Sequence, residues 1–87
     1  MTRQSNAGAL YARVRTHPQN VHFDDAVRLA RTAGFEEVRT SGSHHIFRHE
    51  HHRELILNLQ ERGGEAKPYQ VRQLVRLIEE HGLLEDR

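Results

Sequence analysis

The chain of 87 residues contains no cysteine, which excludes disulfides and thiolate metal sites and fits a cytoplasmic protein. It also has no run of about 18 apolar residues, so the sequence predicts no membrane-spanning helix. The first residues lack the apolar segment of a secretion signal. These three absences lead us to expect a cytoplasmic protein without a membrane partner.

The chain carries little excess charge of either sign, with a formal net charge of +1 when histidine is neutral. Residues 1–34 hold five arginines against two aspartates, whereas residues 54–87 hold five basic and seven acidic residues. A polyanion would therefore meet a local basic patch and not a uniformly basic protein. A chain of this length has room for one domain.

Hydrophobic periodicity and turn residues divide the chain into helices and strands. Ala7, Leu10, Tyr11 and Val14 predict a helix within residues 5–16, and a second helix starts at Phe23–Asp25, with Asp24 as its expected N-cap, and stops at Gly34. Three strands follow, over residues 35–40, 44–49 and 54–60. A loop over residues 61–67 then leads to a last helix that begins at Pro68.

The order of these elements predicts an α+β fold. After an extra N-terminal helix comes α-β-β-β-α, with short links that favour a three-stranded antiparallel sheet with helices on one face. That is the layout of a double-stranded-RNA-binding-domain-like fold. We assign residues 1–20 to an N-terminal helical extension and residues 21–87 to the main domain.

Five of the eight histidines fall within nine residues, 44–52, just after the turn Ser41-Gly42-Ser43. Alternation along a strand places His44 and Arg48 on one side and Phe47 on the other, and the large apolar Phe47 favours His44 and Arg48 for the open side. An imidazole can move a proton to or from a ribose hydroxyl or a leaving oxygen, and an arginine can stabilise charge on a phosphate. A histidine beside an arginine on an open sheet face is therefore suited to phosphodiester cleavage.

Two other interpretations of the same stretch stay open. The histidines can form a polar, solvated turn without chemistry. Glu50, His51 and His52 are also possible metal ligands, but adjacent ligands rarely converge on one ion, and the chain has no His-Glu-x-x-His pattern. We therefore expect no metal and no cofactor.

The start of the last helix is a second candidate site. A helix N-terminus attracts phosphate, and Lys67, Tyr69 and Arg72 can surround an anion there. Arg72 fits equally well as an ordinary residue of the helix surface, and Tyr69 can simply pack.

Over about residues 20–84 the chain resembles the HicA (YcfA-like) toxins of bacterial type II toxin–antitoxin systems. The resemblance depends on the following segments: Leu29-Ala30 through Gly34-Phe35, Gly42-Ser43-His44-His45-Ile46-Phe47-Arg48-His49, Leu57-Asn58-Leu59-Gln60, Gly64-Glu65-Ala66-Lys67-Pro68-Tyr69-Gln70-Val71-Arg72-Gln73, and Gly82-Leu83. In one departure, Leu57-Asn58-Leu59-Gln60 replaces the apolar-Pro-basic-His segment of short family members.

The resemblance implies a metal-independent mRNA interferase, with His44 as its catalytic histidine, that a HicB-like antitoxin neutralises by covering the active site. We predict RNA contacts at Ser43, His45, Arg48, Lys67, Tyr69 and Arg72. A non-catalytic RNA-binding module and a protein that only docks an antitoxin remain the alternatives, and the sequence favours no oligomeric state.

Overall fold

The computed structural model describes residues 3–84, with side chains from residue 7 onward. Three helices and four strands follow one another along the chain: α1 (Arg3–Thr16), α2 (Phe23–Thr32), β1 (Phe35–Ser41), β2 (His44–His49), β3 (Ile56–Arg62), β4 (Glu65–Ala66) and α3 (Pro68–His81). Within residues 3–84, none of the helices combines the length and the apolar character needed to cross a membrane.

The strands form one antiparallel sheet in the order β1-β2-β3-β4, which confirms the α+β class and the meander. The strand count was wrong by one, because the segment predicted as a loop contains the short strand β4. Gly63 and Gly64 have φ values of 60° and 84°, and positive φ at two consecutive residues closes a tight hairpin. That hairpin brings Glu65 and Ala66 back against the end of β3.

Strand β1 contains a bulge that strict alternation does not predict. Glu37 pairs with Phe47, but the next paired residue is Arg39, opposite Ile46. The extra residue, Val38, is 52% exposed. Since directly opposed residues point to the same side of a sheet, the bulge places Arg39 on the side of Ile46 and not on the side of Phe47.

The hydrophobic core lies between one face of the sheet and the helices α2 and α3. Phe47, Leu57 and Leu59 supply the sheet side and are fully buried, and Leu29 and Leu74 supply the helix side. The predicted alternation of β3 is confirmed, because Leu57 and Leu59 are buried while Ile56 is exposed. The opposite face of the sheet therefore remains open.

Helix α1 packs on α2 and α3 and confirms the predicted N-terminal helix. Leu10 and Val14 are buried in the common core. At its surface, the Tyr11 hydroxyl donates to Glu79 at 2.6 Å, and Arg15 donates to the same carboxylate at 2.8 Å. The N-terminal extension thus contacts the rest of the chain through both apolar packing and charge.

The start of α2 differs from the prediction, since Phe23 is its first residue, His22 is the N-cap and Asp24 lies inside the first turn. Contacts made elsewhere in the fold fix this start. The Phe23 amide donates to the Gly64 carbonyl at 2.9 Å. Helix α3 begins at Pro68, as predicted, and ends at His81, with Gly82 as its C-cap in the left-handed conformation at a φ of 58°.

Candidate functional site

The turn between β1 and β2 places His44 at the edge of the open face. Gly42 has a φ of 61°, the conformation for which the sequence required a glycine. Ser41 pairs with His44 across the turn, and His44 pairs with Gln60 on its other side. His44 is exposed, so the sheet fixes its backbone from both sides while leaving its ring accessible.

Residues of the three long strands share the open face with His44. Arg48 lies further along β2, and Ile46 between them pairs with Asn58 on β3. The Asn58 side-chain nitrogen Nδ2 lies 3.4 Å from Nδ1 of His44. The predicted orientation of β2 is confirmed, because Phe47 is fully buried on the opposite side.

His45 points to the helix side of the sheet and is half-buried. Its Nδ1 lies 2.7 Å from Oε2 of Glu37, and its ring centroid lies 4.8 Å from that of Phe23. Hydrogen bonds from the Thr40 hydroxyl and from His45 lower the pKa of the Glu37 carboxyl. The two neighbouring histidines therefore have different surroundings, and an RNA contact by His45 remains a prediction.

The first turn of α3 is tied to the residue that faces His44 across the sheet. The Gln60 amide donates to Oε1 of buried Gln70 at 2.7 Å, and the Lys67 amide donates to the Gln60 carbonyl at 3.3 Å. Tyr69, next to Gln70, is 59% exposed. This arrangement brings the two candidate sites, His44 and the start of α3, to the same end of the sheet.

Sequence reasoning missed Gln70, although a polar residue in the first turn of an amphipathic helix was a visible signal. Its Nε2 donates to the Tyr69 hydroxyl at 3.3 Å, so it holds both the strand and the tyrosine. Arg72 is exposed one turn into the helix, and Lys67 is half-buried before it. Ser43 is also exposed, and its carbonyl accepts from the Glu61 amide at 3.1 Å.

Arg48 lies near the far end of β2, opposite Ile56. It lies four positions from His44 along the strand, or about 13 Å at about 3.3 Å per residue. Arg39, brought to the open face by the bulge, is opposite Ile46 and therefore nearer to His44 in register. Among the described residues, the buried atoms Nε of Arg48 and Oδ1 of Asn58 have no hydrogen-bond partner.

The other end of β2 has a different histidine environment. His49 is 5% exposed and its Nε2 donates to the Ala33 carbonyl at 2.8 Å, while the amides of His51 and His52 each donate to Nδ1 at 3.0 Å. These contacts define a neutral ring, and burial lowers its pKa. They also fold the segment after His49, which explains why β3 begins at Ile56 and not at Glu54.

A shallow depression of about 320 Å³ lies beside His49 and is lined by His51, His52, His81 and neighbouring residues. The His52 and His81 rings lie 5.9 Å apart. Even so, residues 3–84 contain no group of three or more histidine or carboxylate side chains arranged to hold a metal ion. The expectation of a chain without a metal remains a prediction, and Glu50, His51 and His52 gain no support as ligands.

The fold and the exposed histidine define a small α+β domain with a polar, partly basic sheet face. The HicA toxin family of bacterial toxin-antitoxin systems matches residues 23–83. The chain therefore belongs to the HicA toxin family, and an antitoxin partner follows from that membership. No curated protein and no solved structure matches the chain. The matched segment begins at the first residue of α2, so α1 lies outside it.

Proposed function

We propose that this protein is an mRNA interferase toxin in which His44 is the catalytic histidine. The observation that carries the proposal is the placement of His44, exposed on the open sheet face directly after a glycine turn, in a chain of the HicA family. A HicB-type antitoxin would neutralise the toxin by covering this face.

The chemistry needs a base for the attacking 2′-hydroxyl and an acid for the leaving 5′-oxygen, and one imidazole can serve as both in turn. Neutral His44 takes the proton of a ribose 2′-hydroxyl, and the 2′-oxygen attacks the adjacent phosphorus. The imidazolium then gives that proton to the leaving 5′-oxygen, which yields a cyclic phosphate and a 5′-hydroxyl. Acid–base catalysis of this kind contributes about 10²–10⁴ in rate, so a single histidine makes a slow nuclease.

A slow acid–base catalyst works only on a phosphate that other groups hold in place. Lys67, Tyr69 and Arg72 are suited to this role because Gln60, opposite His44, is hydrogen-bonded to Lys67 and Gln70. Arg48, about 13 Å along the strand, suits a neighbouring phosphate of the same RNA. Ser43 is suited to contact RNA beside His44.

The test compares His44→Ala with His52→Ala, a surface histidine at the other end of the same segment. Both are expected to fold, since both residues are exposed. We expect His44→Ala to abolish growth arrest and RNA cleavage, and His52→Ala to retain both. Full toxicity of His44→Ala at equal expression would overturn the proposal.

Two further measurements separate this function from its alternatives. Cleavage is expected to persist in EDTA, because no described group is arranged to hold an ion. Loss of cleavage in EDTA, restored by one divalent ion, would instead support a metal nuclease. RNA binding without any cleavage by the wild-type protein would identify a non-catalytic RNA-binding module.

A further inference from the structure

Arg39 lies on the open face of the sheet because of the bulge in β1. In an unbroken strand, alternation would put Arg39 on the same side as Glu37, which is the side of the helices. The extra residue Val38 interrupts this alternation, so that Arg39 is opposite Ile46 and points to the open face. Bulges are frequent next to active sites, where they redirect a side chain. The bulge therefore determines which residue of β1 faces a substrate.

The contacts of Glu37 hold the bulge in this form. Its carboxylate accepts a hydrogen bond from the Thr40 hydroxyl, and its Oε2 lies 2.7 Å from Nδ1 of His45. Arg31 of α2 forms an ion pair with the same carboxylate at 3.7 Å. Thr40 is opposite His45, so these groups lie on the helix side of the sheet. The carboxylate nearest to Arg39 in the sequence is thus held on the other side of the sheet.

Arg39 is an exposed arginine without an internal partner. Within residues 7–84, its guanidinium forms no hydrogen bond and no ion pair. The residue directly opposite Arg39 is the apolar Ile46, whereas the residue opposite Arg48 is Glu36. A carboxylate opposite an arginine weakens the attraction of that arginine for a phosphate. Arg39 is therefore better suited than Arg48 to bind an anion on the open face.

The register also places Arg39 closer to His44 than Arg48 is. His44 and Ile46 are two positions apart on the same side of β2, so His44 is a diagonal neighbour of Arg39. Diagonal neighbours in an antiparallel pair lie about 7–8 Å apart, within reach of a long side chain. Arg48 lies about 13 Å from His44 along the strand. A phosphate in contact with His44 is therefore within reach of the Arg39 guanidinium.

We propose that Arg39 is a second catalytic residue, whose guanidinium binds a non-bridging oxygen of the phosphate on which His44 acts. As the 2′-oxygen attacks phosphorus, negative charge increases on the non-bridging oxygens, and a cation beside them stabilises the transition state more than the ground state. The guanidinium stays protonated throughout, so proton transfer is left to His44. This inference rests on the proposed catalytic role of His44.

The first test measures cleavage by variants of Arg39, which are expected to fold because the residue is exposed. Arg39→Ala should lower kcat about 10²-fold, as removal of one charge-stabilising donor does, with a smaller loss of RNA affinity. Arg39→Lys keeps the charge without the planar fork and should recover part of kcat. Arg53→Ala removes the same charge from an exposed loop at the other end of β2 and should retain kcat. A wild-type kcat in Arg39→Ala would overturn the proposal, whether or not RNA affinity falls.

The second test identifies the atom that Arg39 contacts. In an RNA with a mapped cleavage site, sulfur replaces one or the other non-bridging oxygen of the cleaved phosphate, and sulfur accepts hydrogen bonds weakly. Wild type should cleave one of these two diastereomers more slowly, and Arg39→Ala should lose most of that difference, while Arg48→Ala keeps it. An undiminished difference in Arg39→Ala would overturn the proposal. Full cleavage by His44→Ala would reject the proposed function separately, whatever the Arg39 variants do.

Discussion

His44 and His49 are the first and last residues of the same strand, yet they have opposite environments. His44 is exposed, and its ring contacts the side chain of Asn58. His49 is 5% exposed and makes three hydrogen bonds through its two ring nitrogens. A shared residue type and a shared strand therefore do not give a shared role.

The difference follows from what covers each end of β2. At the His49 end, the turn between α2 and β1 packs on the ring, and Gly34 makes room for it. At the His44 end, the ring points to the face of the sheet that α2 and α3 leave open. A histidine with both nitrogens in internal hydrogen bonds stabilises the fold, whereas an exposed histidine is available to a substrate.

The largest expected effect is the difference in unfolding free energy between the alanine variants of His49 and His44. His49→Ala should lower the free energy of unfolding by about 3 kcal/mol, because it leaves the Ala33 carbonyl and two amides without their partner. His44→Ala should change it by no more than about 0.5 kcal/mol, as for most surface substitutions. Urea denaturation of both variants measures this. Equal losses in the two variants would contradict the division of roles.

Gly34 tests the packing on the His49 ring directly. A Cβ added at this position would lie 2.5 Å from Nε2 of His49, on a backbone with φ of +102°. Gly34→Ala should therefore lower the free energy of unfolding by about 2 kcal/mol or more.

Gly42→Ala is the matched control for Gly34→Ala. Its φ is +61°, but the added Cβ meets no atom within 4 Å, so only the conformational cost of about 1–2 kcal/mol remains. If Gly42→Ala destabilises the protein as much as Gly34→Ala, contact with His49 is not the cause.

Acidification should lower the free energy of unfolding through protonation of His49. Burial lowers the pKa of His49, an effect reinforced by His52 and His51 and partly offset by the Ala33 carbonyl and Glu50. The unfolded chain, with an ordinary histidine pKa of about 6.5, then binds a proton that the folded chain does not. The free energy of unfolding should fall as the pH drops below about 6.5, by at most about 1.4 kcal/mol per pH unit.

Denaturation curves of wild type and His49→Asn between pH 7.5 and 5 test this slope. The His49 contribution should be missing from the variant. An unchanged slope in His49→Asn would assign the pH dependence to other groups.

The smallest effect concerns anion binding at the His44 end. Arg72→Ala should weaken RNA binding across many sequences and reduce its salt dependence by about one charge. Arg53→Ala removes the same charge from the loop at the His49 end and should leave the salt dependence unchanged. Equal effects of the two variants would mean that RNA does not distinguish the two ends.

Local patterns were sufficient for most of the fold. The spacing of Leu57 and Leu59, Pro68 as a first helical residue and the glycine turn before His44 each led to a correct element. The strand Glu65–Ala66 was missed although Gly63-Gly64 is a hairpin signal. The prediction of Asp24 as the N-cap was wrong because the Phe23 amide donates to the Gly64 carbonyl, a partner about forty residues away in the chain.

The sequence by itself determined the α+β class and the orientation of β2, because alternation and turn chemistry act over a few residues, while the catalytic role of His44 stays a prediction. Only the tertiary structure decided which other side chains meet it. The bulge at Val38 turns Arg39 to the open face, the register of β3 brings Asn58 to the His44 ring, and Gln70 ties α3 to Gln60. Each depends on how separate segments align across the sheet, and that alignment is set by packing of the whole core.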